Sequence, residues 1–418
     1  MKFYISLLSL LLGCGLCHAR TYQPEILSAL KYLESTQATR SGDYEPGQWA
    51  TEVTAILLPS MVGVGAWGKP YPEATIFTTA SIVGVLQEMQ DSDPTLRQIG
   101  PMVEKAIDGF APFYMEPFFN FYPPRKRNGA WVRGPRSMFL APYFRGLAHI
   151  PPDADSTSVT YWVLRGPVPE TVVQTFARIR DVDRKPHSYN RRSGNVNTGA
   201  FMTWLMDEKD PDMPHRFWQP ELGPRIPFGT NDVDCIVNAN VLKLLTRIQR
   251  DEIPGYKESC EFLKKSIRHS EYGRCGIYYP NDFMLAMSVG ELKQMKASCT
   301  ASEEPTVLRY LLETQSQDGS WMNAPPARPD RIQATVAALN SLLLLGDSQN
   351  SVHRKRVHKA VNYLLAHSRR NRDGHLNWRG QVFFSAVAQA RFSVVWRSTP
   401  YTTALAAMAL QRAERFLD

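Results

Sequence analysis

The sequence predicts an all-α fold, an α/α toroid in which about six buried inner helices are enclosed by about six amphipathic outer helices in one domain. Three observations predict it. The chain of 418 residues is 43% hydrophobic and 21% charged, an ordinary globular composition that excludes wholesale disorder. A unit of two helices joined by a glycine turn recurs along the chain. The second helix of each unit carries few charges, so it must be buried on most sides.

The clearest copy of the repeat begins at Glu304. Leucines at helical spacing predict one apolar face, Gln315 follows them, and a glycine turn ends at Trp321. Prolines then break the chain, and a second helix rich in Ala and Leu is predicted from about Asp330 to Leu345. Weaker copies with the same order of features start near residues 26, 260 and 357.

The second helices have the character of inner helices. Between Asn231 and Leu245, for example, Lys243 is the only charged residue after the first turn. Most starts carry Asp, Asn, Ser or Thr, which accept hydrogen bonds from the free N–H groups of a first helical turn. The same pattern is compatible with an open α-solenoid. The predicted starts lie near Tyr71, Asp153, Asn231, Asn281, Asp330 and Ser398.

The segment from Leu311 to Trp321, LLETQSQDGSW, resembles the QW motif of squalene and oxidosqualene cyclases. In that motif a helix end, a glutamine and a glycine turn are followed by a tryptophan that stacks on the next repeat. As a repeat pattern, the resemblance to the terpenoid cyclase and protein prenyltransferase superfamily covers most of residues 22–418. It implies parallel inner helices, whose N-termini gather at one mouth of a central cavity.

The resemblance also implies an acid site at that mouth. Two helix starts read Asp-x-Asp, like the acid motif of class II terpene cyclases, and Asp234 with Cys235 resembles the Asp–Cys pair of oxidosqualene cyclases. Protonation of an alkene or epoxide needs a carboxylic acid that stays protonated and shielded from water. We therefore expect Asp234, with Asp232, to be the catalytic acid. The other aspartates expected beside the cavity are Asp153, Asp155 and Asp282.

The motifs depart from the cyclase pattern. Ser156 and Cys235 stand where the fourth position would be acidic, and the second barrel domain of the triterpene cyclases is missing. The zinc set of the prenyltransferases is not matched either, so no metal and no other cofactor is predicted. The alternative role of the aspartates is plain capping of helix N-termini.

Three more residues are expected at the cavity. Asn238 follows Asp234 by one turn and either lines the cavity or joins neighbouring helices. Trp131 follows an aromatic-rich segment, residues 110–122, that either covers the mouth, stacks on sugar rings or packs against the barrel. Tyr401 lies near the start of the last predicted inner helix.

The first nineteen residues predict a secretory signal peptide cleaved after Ala19. The alternative is a bacterial lipoprotein signal, in which Cys14 becomes the lipidated first residue. Export leaves four cysteines in an oxidising compartment, which favours two disulfides. In the toroid that the resemblance implies, the pairs are Cys235–Cys275 at one rim and Cys260–Cys299 at the other.

The charge and the motifs narrow the functional classes. The net charge is +8, and we take the basic residues as spread along the chain, so no nucleic-acid partner is predicted. No segment after the signal peptide is apolar enough to cross a membrane, so no membrane-spanning segment is predicted. Three functions stay open: a cyclase-like protein that binds an apolar or isoprenoid ligand, an enzyme acting on a polysaccharide or glycan, and an exported protein that binds without catalysis. A polar insert, residues 181–230, is a further candidate for binding groups.

Overall fold

The computed structural model describes residues 21–55, 70–127, 130–136, 150–183, 197–205, 225–226, 229–324, 331–385 and 394–418. Twelve α-helices lie in these ranges. They are α1 Gln23–Thr36, α2 Ile76–Ser92, α3 Ile99–Asp108, α4 Ala154–Leu164, α5 Glu170–Arg178, α6 Cys235–Arg247, α7 Tyr256–Arg268, α8 Met284–Gln294, α9 Glu304–Thr314, α10 Arg331–Leu345, α11 Ser351–Ala366 and α12 Thr399–Leu417.

The even-numbered helices form a closed inner ring, because each packs against the next and α12 packs back against α2. The apolar sequences of these helices agree with burial on all sides. In α12, for example, every residue from Pro400 to Ala413 is buried. The odd-numbered helices lie outside, with α1 on α12, α3 on α2, α7 on α6, and α9 and α11 on α10. The predicted toroid is therefore confirmed, and the open solenoid is excluded. Each inner helix begins within five residues of its predicted start.

Three tryptophans fasten outer helices to the turns that follow them. Each is fully buried and donates its indole N–H to a carbonyl in the last turn of the preceding outer helix. In the turn before Trp321, Gly319 has a φ of +91°, and a Cβ there would lie 2.3 Å from the Lys359 carbonyl oxygen, so only glycine fits. The three bonds are Trp49 to Leu33 at 2.8 Å, Trp321 to Leu311 at 2.9 Å and Trp378 to Leu364 at 2.7 Å.

Short strands cover one end of the ring. An antiparallel sheet in the order β11-β12-β1-β2 joins the chain after α1 to the chain before α12. The aromatic-rich segment folds into a short 3₁₀ turn and the β3–β4 hairpin. The strands are β1 Glu52–Ala55, β2 Tyr71–Pro72, β3 Tyr114–Met115, β4 Phe118–Phe119, β5 Arg125–Arg127, β6 Ala130–Val132, β7 Arg225–Ile226, β8 Gly229–Thr230, β9 Arg369–Arg370, β10 Leu376–Asn377, β11 Val382–Ser385 and β12 Val394–Arg397.

Two disulfides tie the ring together, one at each end. Cys235 at the start of α6 is bonded to Cys275, and Cys260 in α7 is bonded to Cys299. Both pairs agree with the predicted connectivity. They close loops of nearly equal length, with sequence separations of 40 and 39.

Some sequence predictions lie outside the described residues. These are the signal peptide of residues 1–19, the lipidated Cys14 and most of the polar insert of residues 181–230. Within the described ranges, no helix is both long and apolar enough to cross a membrane.

Candidate functional site

A cavity of about 360 Å³ lies inside the ring of inner helices. Side chains from α2, α4, α6, α8 and α12 line it, and most of them are aliphatic, aromatic or sulfur-containing. Its volume falls in the range of roughly 300–1,000 Å³ that is usual for small-molecule sites. The main apolar lining residues are Phe77, Val85, Trp162, Met287, Leu405 and Met408.

The cavity opens at the C-terminal ends of the inner helices. Asp91 near the end of α2 and Arg165 just after α4 line it there, with side chains 58% and 50% exposed. The resemblance implied a mouth at the helix N-termini instead. Among the described residues, aromatic side chains cover that end, which we call the closed end, and the aspartate-rich helix starts lie there.

Aromatic side chains form the cover of the closed end. The ring of Phe384, from β11, lies 5.1 Å from Phe121 and 5.4 Å from Trp396, measured between centroids. The same ring lies 5.5 Å from Tyr278 and 5.7 Å from Tyr279. The aromatic-rich segment thus supplies packing for this cover through Phe121, which is one of the roles the sequence left open.

Asp155 is not itself in the cavity wall, but of the buried aspartates at the closed end it is bonded to two residues that are. It is 4% exposed and accepts hydrogen bonds from the Tyr279 hydroxyl and, at 2.7 Å, from the Asn240 amide. Both donors line the cavity, as does Val159, one turn further along α4. Burial raises the pKa of Asp155, and the two hydrogen bonds oppose that rise without cancelling it.

Asp153 caps the same helix. Its Oδ1 accepts a hydrogen bond of 2.5 Å from the backbone N–H of Ser156, while its buried Oδ2 has no partner among the described residues. Burial, followed by repulsion from Asp155, raises the pKa of Asp153 to about 8. This carboxyl therefore holds its proton at pH 7.

Asp234 and Asp232 are engaged by other parts of the chain. Asp234 Oδ1 accepts from the backbone N–H groups of Ile236 and Val237, at 2.7 and 3.1 Å, and its Oδ2 accepts from that of Tyr278 at 2.9 Å. Burial raises the pKa of Asp234 to about 7 in spite of these bonds. Asp232 accepts from the Tyr278 hydroxyl at 2.8 Å. Neither aspartate lines the cavity, and the bonds of Asp234 are those of a helix cap.

Asn238 joins neighbouring elements. Its Oδ1 accepts from the Phe201 backbone and the Ser259 hydroxyl, and its Nδ2 donates to the Phe201 carbonyl, so both ends of the amide have protein partners. Asp282 accepts a hydrogen bond of 2.6 Å from the Ala324 backbone N–H, which ties the start of α8 to the turn after Trp321. The structure places neither side chain in the cavity wall, because each is directed to the backbone of an adjacent segment.

The last two residues predicted to lie at the cavity are Tyr401 and Trp131. Tyr401, near the start of α12, is buried and lines the cavity, with its ring 5.1 Å from that of Phe383. Trp131 belongs to β6, and its side chain lies outside the described part of the structure. Sequence reasoning missed Tyr279, whose available signal was a tyrosine pair after a glycine turn. Asn240 stood out in the sequence as a polar side chain inside an apolar helix, but without an assigned role.

Ion pairs between inner helices surround the open end. Arg165 pairs with Asp91 at 2.5 Å, between α4 and α2, and Lys243 pairs with Glu291 at 2.5 Å, between α6 and α8. A third pair joins Arg412 of α12 to Glu88 of α2. Each of these cations has a carboxylate partner, so the rim is close to neutral. Within the described residues, no cluster of His, Cys, Asp and Glu side chains could hold a metal ion.

No protein-family model and no curated protein sequence matches this chain. Solved structures do match it over nearly its whole length. A type II terpene cyclase from Scytonema, MstE, solved with its substrate geranylgeranyl dihydroxybenzoate, aligns with a TM-score of 0.56 and 14% identity, covering 94% of this chain and 98% of that one.

A protein from Actinoplanes aligns with a TM-score of 0.55 and 16% identity, covering 94% of this chain and 99% of that one. At these identities the likeness concerns the fold. The described chain has the α/α toroid fold of the terpene cyclases.

Proposed function

We propose that the central cavity binds a neutral, apolar ligand of isoprenoid type and that Asp155 donates a proton to it. The observation that carries the proposal is one buried carboxyl with a raised pKa, held by two side chains, Tyr279 and Asn240, that line the cavity. Protonation of an alkene or epoxide requires an acid that is shielded from water, and burial with a raised pKa suits Asp155 to that role.

The apolar lining of the cavity and the paired charges at its rim both favour an uncharged ligand. Apolar walls gain free energy from burying hydrocarbon but offer few partners to a charged chain. Lys243 and Arg165 at the open end are paired with Glu291 and Asp91, so they are poorly placed to bind a diphosphate. The substrate of MstE carries a geranylgeranyl chain, which makes this chain length a reasonable first probe here.

The proposed step is a proton transfer. The O–H bond of the Asp155 carboxyl breaks and a C–H bond forms at an alkene carbon, or an O–H bond at an epoxide oxygen, which leaves positive charge on the ligand. The carboxylate left behind keeps its hydrogen bonds from Tyr279 and Asn240, while the rings of Phe77 and Trp162 in the wall stabilise the cation. Asp153 holds a second proton two residues away. A C–H bond next to the cationic carbon then breaks, its electron pair forms the new alkene, and the proton returns to the Asp155 carboxylate, so the overall reaction is an isomerisation.

Export is part of the proposal. The signal peptide would deliver a mature chain beginning at Arg20, and the disulfides Cys235–Cys275 and Cys260–Cys299 suit an oxidising compartment. Isoprenyl diphosphates are normally cytoplasmic, so a neutral ligand also agrees better with export.

The test separates binding from chemistry. Binding of geranylgeraniol and of its terminal epoxide is measured by calorimetry, and products of unchanged mass but shifted retention are sought by chromatography with mass spectrometry. Ser81→Phe, which fills the cavity, is expected to weaken binding at least tenfold, an effect of about 1.4 kcal/mol. Asp155→Asn is expected to bind both compounds and form no product.

Asp234→Asn and the rim variant Asp91→Asn are the matched controls for Asp155→Asn. We expect both to keep product formation if they fold. Product formed by Asp155→Asn at the wild-type rate would contradict the acid role. Equal binding by wild type and Ser81→Phe would contradict the cavity as the binding site.

A further inference from the structure

One segment of the chain carries nearly all of the net charge of the protein. Residues 351–379, which comprise α11 and the β9–β10 hairpin, contain eight Lys or Arg and one Asp, a net charge of +7 out of the +8 of the whole chain. The other 40 of the 48 Lys and Arg residues are spread along the chain, as the sequence analysis took them, but their charge is nearly balanced by Asp and Glu. Among the described residues, no ion pair within 4.0 Å involves a Lys or Arg of this segment.

A groove of about 710 Å³ runs along this segment, between α11 and the turn that follows α9. Its α11 side consists of Val352, Lys355, Arg356 and Lys359, which share one face of the helix because they are three or four residues apart. Ser351 and two glutamines add polar groups. The groove thus combines three cations with hydrogen-bonding side chains.

The shape of the groove is held by the same repeat that builds the toroid. Gln315 donates a hydrogen bond of 3.0 Å to the Arg356 carbonyl, and the Lys359 ammonium donates one of 3.2 Å to the Gln317 carbonyl. Gly319 packs against the backbone of Lys359 so closely that no other residue fits there. The cations are therefore presented on a rigid support.

We infer that this groove binds a linear, acidic polysaccharide on the outside of the toroid, independently of the cavity. A chain whose acidic groups recur along its length complements cations one helical turn apart, and sugar hydroxyls suit the Ser351 and Gln317 side chains. This site is separate from the central cavity.

Two other polyanions fit the surface less well. A bilayer is flat, so it cannot fill a groove, and Val352 is the only large hydrophobic side chain among the described residues of the segment that is exposed for insertion. Single-stranded nucleic acid stacks its bases on exposed aromatic rings. The one Tyr of the segment, Tyr363, is only 8% exposed.

The test uses fluorescently labelled alginate oligomers and the full mature chain, with binding followed by anisotropy at about 0.15 M salt, where exposed charges more than a Debye length apart are largely screened. The groove variant is Lys355→Gln/Arg356→Gln/Lys359→Gln. Its control, Arg40→Gln/Arg97→Gln/Lys257→Gln, removes the same charge from exposed positions elsewhere. We expect the groove variant to bind at least about tenfold more weakly and the control to stay within about twofold.

Several outcomes would overturn the inference. These are no binding by wild type, equal losses in both variants, and tighter binding of phosphatidylglycerol vesicles or of an oligonucleotide than of alginate. If the triple variant does not fold, Lys355→Gln alone, at an exposed position, is expected to weaken binding about threefold, and no change would count against the groove. Ser81→Phe, which blocks the cavity, should bind alginate like wild type, so this test and that of the cavity can fail separately.

Discussion

The carboxyl groups at the two ends of the toroid differ in their burial and in the charge of their partners. At the closed end, Asp153, Asp155 and Asp234 are buried and receive hydrogen bonds from hydroxyl, amide and backbone N–H groups, all of them neutral donors. At the open end, Asp91 and Glu291 reach solvent and are paired with cations. Carboxyl groups are thus buried with raised pKa values at one end and form ion pairs with cations at the other.

Helix direction and burial together explain the difference. The carbonyl-rich C-termini of parallel inner helices meet at the open end, where cations offset their partial negative charge. Arg247, for example, donates to the carbonyls of Tyr161 and Trp162 in the last turn of α4. The N-termini at the closed end favour carboxylates by the same effect, but burial under an aromatic cover disfavours the ionised form more strongly.

The largest expected effect comes from removing the disulfides, because one lies at each end. Their loops are nearly equal, 40 and 39 residues, so chain entropy predicts a loss of about 4 kcal/mol of unfolding free energy for either pair. Only Cys235–Cys275 adjoins the acid cluster, since Asp234 caps the helix that Cys235 begins. The double variants Cys235→Ala/Cys275→Ala and Cys260→Ala/Cys299→Ala are compared by chemical denaturation and by hydrogen exchange.

Hydrogen exchange separates the two ends. The backbone N–H groups of Ile236 and Tyr278, which bind Asp234, are expected to lose protection in the first variant and to keep it in the second. Equal exchange at these groups in both variants would show that the closed-end disulfide does not position the acid cluster.

An effect of similar size is expected from pH. The pKa of Asp153 is raised from 3.8 to about 8 in the folded state, so the stability gained from its neutral form is complete below pH 3.8 and lost as pH rises through about 8. Each unit of pKa difference corresponds to about 1.4 kcal/mol. The melting temperature of wild type should therefore fall between pH 5 and pH 9. Asp153→Asn, which cannot ionise, should show a shallower fall, whereas the rim variant Asp91→Asn should follow wild type.

Much of the fold was predictable from the sequence, because repetition multiplies weak signals. Six apolar helices with polar starts, together with the glutamine, glycine and tryptophan of the copy at Trp321, predicted the ring that α2 and α12 close. These features depend on local pattern and on burial, which a sequence displays directly. The disulfide pairing followed from the toroid that the resemblance implies.

The candidate site was less predictable, because it depends on contacts between distant segments. The sequence favoured Asp234, yet the backbone N–H of Tyr278, 44 residues away, engages one of its oxygens. Asp155 is linked to the cavity by a hydrogen bond from the hydroxyl of Tyr279, which is 124 residues away in the sequence. The sequence also did not predict which end of the cavity is open, since the cover of the closed end is built from β11 and the aromatic-rich segment, which are far apart in the chain. No periodicity encodes such pairings.

The central claim, a protonated carboxyl at the closed end, is tested most directly by infrared spectroscopy of the carboxylic C=O stretch at neutral pH. We predict a band of a buried, protonated carboxyl in wild type that persists in Asp91→Asn, is diminished in Asp153→Asn and fades as pH rises past about 8. A wild-type spectrum with no protonated carboxyl at pH 7, or a band unchanged in Asp153→Asn, would contradict the account.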